Sequence, residues 1–172
     1  MHFVFMGVSG SGKTSVAERI ADQLELPLAE ADAFHPEANI GKMSAGMPLT
    51  DDDRWPWLRE LADWIAGHEA SGTSTVMACS ALKRTYREVL RTGAPGGVHF
   101  LHMHGSSEVI WERSGAREDH FMPPALLNSQ LEALQKLGPD EEGREFDVRR
   151  DLDALTAAAL EYVDERVRPM GV

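Results

Sequence analysis

The first fourteen residues constrain this chain more than any other stretch. An apolar run, Phe3-Val4-Phe5-Met6, leads directly into Gly7-Val8-Ser9-Gly10-Ser11-Gly12-Lys13-Thr14. That spacing is G-x-x-x-x-G-K-[ST], a phosphate-binding loop. Glycines let backbone N–H groups turn inward and approach phosphate oxygens with no Cβ in the way. Val16, Ile20 and Leu24 follow at i, i+4 and i+8, beside Ala17 and Ala21. This predicts an amphipathic helix beginning near Lys13, whose positive dipole end faces the loop. In such a loop Lys13 reaches the β- and γ-phosphates, and the Thr14 hydroxyl ligates Mg²⁺. A nucleoside triphosphate is the expected ligand; the acceptor is not specified by the loop.

Bulk properties narrow the remaining classes. At 172 residues one domain is expected, 1–172. The formal net charge of -11 argues against a nucleic-acid surface, which shows a basic stripe. It also requires that any anionic ligand be drawn in by local positive charge. One cysteine, Cys79, excludes an internal disulfide and suits a reducing cytosol. No basic leader region opens the sequence, and no apolar run approaches a membrane span, so no membrane partner is expected.

Strand and helix patterns alternate along the chain. Leu26 to Ala31 reads as a second strand, which puts Asp32 at its carboxyl end, on the edge that faces the ligand crevice of an open α/β sheet. A helix cap is the plainer role for Asp32. Phe34 to Leu49 is broken by Pro and Gly and predicts a short helix with irregular ends. Thr50 or Asp51 caps a helix whose first turn is acidic, which leaves Arg54 unexplained because a cation there is mildly unfavourable. Thr73 to Cys79 predicts the third strand. It ends without the Asp that helps hold Mg²⁺ in many phosphate-loop proteins, so Asp32 is the nearest substitute.

A helix is expected from Ser80, with Lys83, Arg84, Arg87 and Arg91 forming either a ligand-facing basic cluster or a solvated face. Val98 to His104 predicts the fourth strand, with His102 and His104 on one face; a metal pair there lacks an evident third ligand. Arg113 and Arg117 lie four apart on the next helix. They suit a lid over about 113–125 that closes on phosphates, or ordinary pairing with Glu112 and Glu118. Helices from Ala125 to Leu137 and from Leu152 to Val167, and a fifth strand from Glu145 to Val148, complete the pattern. The fold class is α/β: three layers around the phosphate-binding loop, with a parallel sheet of about five strands flanked by helices.

With these blocks assembled, nearly the whole chain resembles the gluconate kinases, phosphate-loop small-molecule kinases related to shikimate kinase. The resemblance rests on the loop, on Asp32-Ala33-Phe34-His35-Pro36, and on Asn39, Lys42-Met43 and Gly46. It rests also on Pro48-Leu49 through Asp51-Asp52-Asp53-Arg54 to Pro56-Trp57-Leu58, and on Cys79-Ser80-Ala81-Leu82-Lys83 with Tyr86-Arg87. His120-Phe121, Leu126-Leu127 and Ser129-Gln130 complete it. Two positions depart from the family pattern: Ala31 stands where Gly is usual, and Lys136-Leu137 where Glu-Pro is common.

The resemblance implies phosphorylation of D-gluconate by ATP at the 6-hydroxyl, with Mg²⁺, a cytoplasmic setting and a homodimer. On that reading Gly7, Val8, Ser9, Gly10, Ser11, Gly12, Lys13 and Thr14 hold the triphosphate. Asp32 is the general base and touches the metal through water. Arg113 and Arg117 neutralise the transferring group. Lys83, Arg87 or Arg54 holds the gluconate carboxylate, and His35, Lys42 and Gln130 bond its hydroxyls. A kinase of another small hydroxy acid, such as shikimate, is the first alternative; a nucleotide switch without an acceptor is the second.

Overall fold

The computed structural model describes residues 1–115 and 124–167. The first strand, β1 (His2–Met6), is buried at every position. A strand buried on both faces needs neighbours on both sides and helices above and below. Its neighbours are β3 (Thr75–Ala78) and β4 (Val98–His104), both parallel to it. Beyond β3 lies β2 (Leu28–Glu30), and beyond β4 lies β5 (Gly143–Asp147), giving the parallel order β2-β3-β1-β4-β5.

Alternation along β1 splits the core into two layers. Phe3 and Phe5 pack with Val16, Ala17 and Ile20 of α1 (Lys13–Leu24) and with Leu155, Ala159 and Val163 of α7 (Leu152–Val167). Val4 and Met6 point the other way. They meet Leu58, Leu61 and Ile65 of α3 (Asp51–Ala70) and Tyr86 and Leu90 of α4 (Arg84–Arg91). Val16 and Ile20 are 0% exposed, which stabilises by about 1.5–3 kcal/mol for each such side chain. Three shorter helices, α2 (Glu37–Ser44), α5 (Ser107–Gly115) and α6 (Pro124–Ala133), frame the carboxyl edge of the sheet.

The helix α3 begins as its sequence demands. Thr50 accepts a hydrogen bond from the Asp53 amide, and the Asp53 carboxylate accepts one from the Thr50 amide, a complete capping box. Other boundaries differ from expectation. Strand β2 stops at Glu30 because Ala31–Phe34 closes into a 3-10 turn. The helix expected from Ser80 starts only at Arg84, since Ala81 adopts a left-handed φ of 44°. The helix expected to reach Leu137 ends at Ala133. Beyond it the Gln135 amide donates to the Leu82 carbonyl instead of continuing the helix. The lid expected over about 113–125 falls mostly outside the described residues, and Arg117 lies wholly outside them.

One side chain organises both altered boundaries. Arg87 is 0% exposed, and its guanidinium binds Glu141 through Nε at 2.6 Å and Nη2 at 3.0 Å. It also donates to the carbonyls of Ala81, Leu82, Gln135 and Lys136. Burial opposes ionisation of Glu141, but Arg87 and the Gly138 amide outweigh it and keep the carboxyl below its ordinary range. Arg87 therefore fastens the segment after β3 to the segment after α6. It has no donor left for a substrate carboxylate, so the structure removes it from the gluconate-binding candidates. Arg87→Met strands Glu141 without its partner in a dry site. It is expected to cost about 3–5 kcal/mol and to lower Tm by about 10 °C; a denaturation series that includes Glu141→Gln and the double variant measures the coupling.

Several imidazoles are also enclosed. His2 lies between Thr75 and Glu69, both at 2.8 Å, His99 meets the Tyr162 hydroxyl at 3.0 Å, and His35 stacks on Trp57. Burial is the leading cause that lowers the pKa of all three. Below pH 6.5 the unfolded chain takes up protons that these folded rings refuse. Stability is then complete above pH 6.5 and declines on acidification, by up to about 1.4 kcal/mol per pH unit for each ring. Asp53, Asp140 and Asp147, held near 2 by hydrogen bonds from Lys42, Arg84 and Arg149, add their loss only below about pH 4. Urea midpoints followed by tryptophan fluorescence should already fall between pH 7 and about 5; a flat profile there contradicts the burial of these rings as neutral groups.

Candidate active site

The turns that follow β1, β2 and β3 converge because those strands are parallel and adjacent, so their carboxyl ends share one edge. A cleft of about 260 Å³ opens there. From the sequence-predicted set it gathers Ser9 and Lys13 of the glycine loop, Asp32 and His35 after β2, Arg54 of α3 and Gln130 of α6. Asp32 and Lys13 thus line the same cavity, the placement expected of a base and a phosphate ligand.

The loop is shaped for an anion. Gly10 has a φ of 82°, and a Cβ there would stand 2.3 Å from Ser114 Oγ. Gly12 has a φ of 88° and provides the left-handed entry to α1; a Cβ on it would meet the Arg113 guanidinium at 3.2 Å. Arg113 therefore lies directly over the loop. Its Nη1 donates to the Val148 carbonyl at 2.7 Å, which fixes its direction from the end of β5. Gln130 is anchored to the same loop, its Oε1 accepting from the Ser9 amide at 2.7 Å.

Opposite the loop, Asp32 is exposed, with His35 behind it. The Asp53 carbonyl can only accept, so it fixes the Asn39 amide nitrogen at 2.9 Å as a donor. That same nitrogen lies 3.2 Å from His35 Nδ1, which places the imidazole proton on Nε2. His35 Nε2 faces Asp32 Oδ1 at 3.9 Å. Burial holds His35 below its ordinary pKa, although Asp32 pulls the other way. The neutral ring is clamped against Trp57 at a centroid distance of 4.2 Å, whose indole donates to the Ala31 carbonyl at 2.7 Å. The strand end that presents Asp32 is thereby fixed.

Two expected substrate contacts are engaged elsewhere. Lys42 donates to both oxygens of Asp53 at 2.8 Å, and Lys83 donates to Asp51 at 3.0 and 3.3 Å. Neither lines the cleft. The acidic first turn of α3 is thus both a helix start and the partner of two lysines. Arg54, which the helix start left unexplained, reaches the cleft with its Nη1 on the Leu49 carbonyl at 2.5 Å and 3.3 Å from the Tyr86 hydroxyl. Tyr86 in turn donates to Asp51.

Two further groups at this edge were not singled out by sequence. Thr14 donates to Glu30 at 3.0 Å, and burial is the main cause that raises the Glu30 pKa. A hydroxyl and carboxylates at the foot of the loop form an all-oxygen donor set, which fits Mg²⁺. Glu30 stands two residues before Asp32 at the end of β2, a spacing that could have drawn attention to it. Ser114 Oγ is sealed from solvent beside Gly10 with no hydrogen-bond partner; nothing in the local sequence marks it. Cys79, pushed up to about 12 by burial, is an inert part of the core. Among the described residues no helix is long and apolar enough to cross a membrane.

No protein-family model matches the chain. It is 49% identical over 138 residues to the gluconokinase of Gluconobacter oxydans (strain 621H), covering 80% of this chain and 77% of that one. Among solved structures, a gluconokinase from Sinorhizobium meliloti 1021 superposes with a TM-score of 0.82 at 45% identity, covering 97% of each chain. An unliganded sugar kinase from Janibacter sp. HTCC2649 gives a TM-score of 0.89 at 55% identity, covering 95% of this chain and 94% of that one.

Proposed function

The chain belongs to the gluconokinase family, and we propose on that premise how its cleft transfers phosphate from ATP to gluconate. The observation that carries the reading is one cavity lined by both Lys13 and Asp32. The γ-phosphoryl passes to the 6-hydroxyl of D-gluconate, giving ADP and 6-phospho-D-gluconate. Loop amides from Gly7 to Thr14 and the Lys13 ammonium hold the triphosphate. Asp32 accepts the hydroxyl proton as the new P–O bond forms. His35 and its Trp57 stack keep that carboxylate oriented, and Gln130 closes the wall opposite.

Mg²⁺ is the metal we assign, held by Thr14 with Glu30 and Asp32 near it. When bound it neutralises charge on the phosphates. Arg113, already over Gly12, stabilises the transferring group, and Arg117 joins it when the 113–125 segment closes as a lid over the single domain, 1–172. Arg54 takes the gluconate carboxylate, since it is the predicted carboxylate ligand that lines the cleft. A cytoplasmic homodimer completes the proposal; sedimentation analysis tests the dimer.

Coupled ADP detection across gluconate and other hydroxy acids, shikimate included, tests the acceptor. Turnover strongly favouring gluconate is expected, and equal rates with no acceptor present would point to a switch. Asp32→Asn should retain ATP binding and lower kcat by at least about 10²-fold; near-normal turnover removes it as the base. Arg54→Ala should raise KM for gluconate by about 10-fold or more and leave KM for ATP nearly unchanged. Lys83→Ala should change neither constant appreciably, and the reverse pattern would transfer the carboxylate to Lys83.

A further inference from the structure

On the other half of the sheet lies a cluster that phosphoryl transfer does not use. His102 and His104 are two apart on β4 and so share a face. Glu145 is the register partner of His102 on β5. One ligand atom from each of the three lies within 4.8 Å of the other two. The rings pack with centroids 5.3 Å apart. His102 is 1% exposed, and its Nδ1 stands 3.5 Å from Glu145 Oε1 without a hydrogen bond. The Nδ1 of His104 is likewise sealed from solvent and unpartnered. Buried polar atoms normally find partners, so two orphaned nitrogens in one cluster with a carboxylate require an explanation.

We propose that His102, His104 and Glu145 form a binding site for a divalent transition-metal ion, best matched by Zn²⁺. Two imidazoles and one carboxylate are a donor set that zinc accepts with a fourth position open. Mg²⁺ prefers oxygen ligands throughout, so this site and the phosphate-loop site select different ions. Tetrahedral bonds of about 2 Å would bring the ligand atoms to about 3.3 Å from one another. Side-chain rotation of the exposed Glu145, with small turns of the two imidazole rings, supplies that adjustment. A cavity of about 440 Å³ adjoins His104 and Glu145 and leaves room for a water ligand. Asp147, at the same cavity, has both oxygens bound by Arg149 and is not needed as a ligand. The bound ion would staple edge strand β5 to β4. Val148, directly after β5, supplies the carbonyl that directs Arg113.

The test uses the full chain stripped with a chelator and titrated calorimetrically with ZnCl₂ in saturating Mg²⁺. One Zn²⁺ per chain is expected. His104→Ala and Glu145→Gln should each weaken binding by about 10²-fold or more, with unchanged circular dichroism. Co²⁺ in place of Zn²⁺ should give visible absorption that both variants abolish. Absence of Zn²⁺ binding up to about 1 mM, or binding that neither variant weakens, would overturn the proposal. Both outcomes are independent of the Asp32 and Arg54 measurements.

Discussion

The parallel pairing of β1 with strands on both of its sides is the constraint on which the site depends. A buried parallel strand satisfies its backbone only when β3 and β4 flank it. Once they do, the turns after β1 and β3 emerge side by side, and the Gly7 amide donates to the Ser80 carbonyl at 3.2 Å. β2, added outside β3, brings Glu30 and Asp32 to the same edge. Lys13 and Asp32 thus come from separate segments of sequence and meet because of strand order.

Charge is distributed with similar economy. The chain carries a net charge of -11, yet its cleft must receive a triphosphate and a sugar acid. Several cations near this edge are committed internally: Lys42 to Asp53, Lys83 to Asp51, Arg87 to Glu141, and Arg84 to Asp140. Among the described residues, Lys13 and Arg54 line the cleft and Arg113 lies over its loop. Coulombic attraction is strongest at short range and in a partly enclosed cavity, so a few aimed cations prevail locally over a diffuse negative surface.

That distribution explains what was legible in the sequence and what was not. The glycine loop, the helix at Lys13, the cap at Thr50 and the position of Asp32 follow from local rules, and the structure agrees with each. The assignments of Lys42, Lys83 and Arg87 depended on which carboxylate each cation would meet in space. Glu141 lies 54 residues from Arg87, and no local pattern links them. Lys83 and Asp51 meet because two helix starts sit side by side, which is a packing result. The early end of α6 has the same origin: Gln135 donates to Leu82, a bond invisible to helix periodicity. His102 and His104 were readable as a pair, but their third member required the β4–β5 register.

The edge strand links these two kinds of information. β5 has one sheet neighbour, β4, so its register rests on a single ladder and on Phe146 packing into the core. Yet Val148, at its end, is the acceptor for Arg113, the cation above the glycine loop. A slip of β5 by one residue would turn Phe146 out of the core and carry that acceptor about 3.3 Å along the strand. Arg113 would then lose its anchor while the loop itself stayed intact. The precision of the phosphate site is therefore set partly by a strand that contributes no ligand to it, and the imidazole–carboxylate group across β4 and β5 lies where that register can be held.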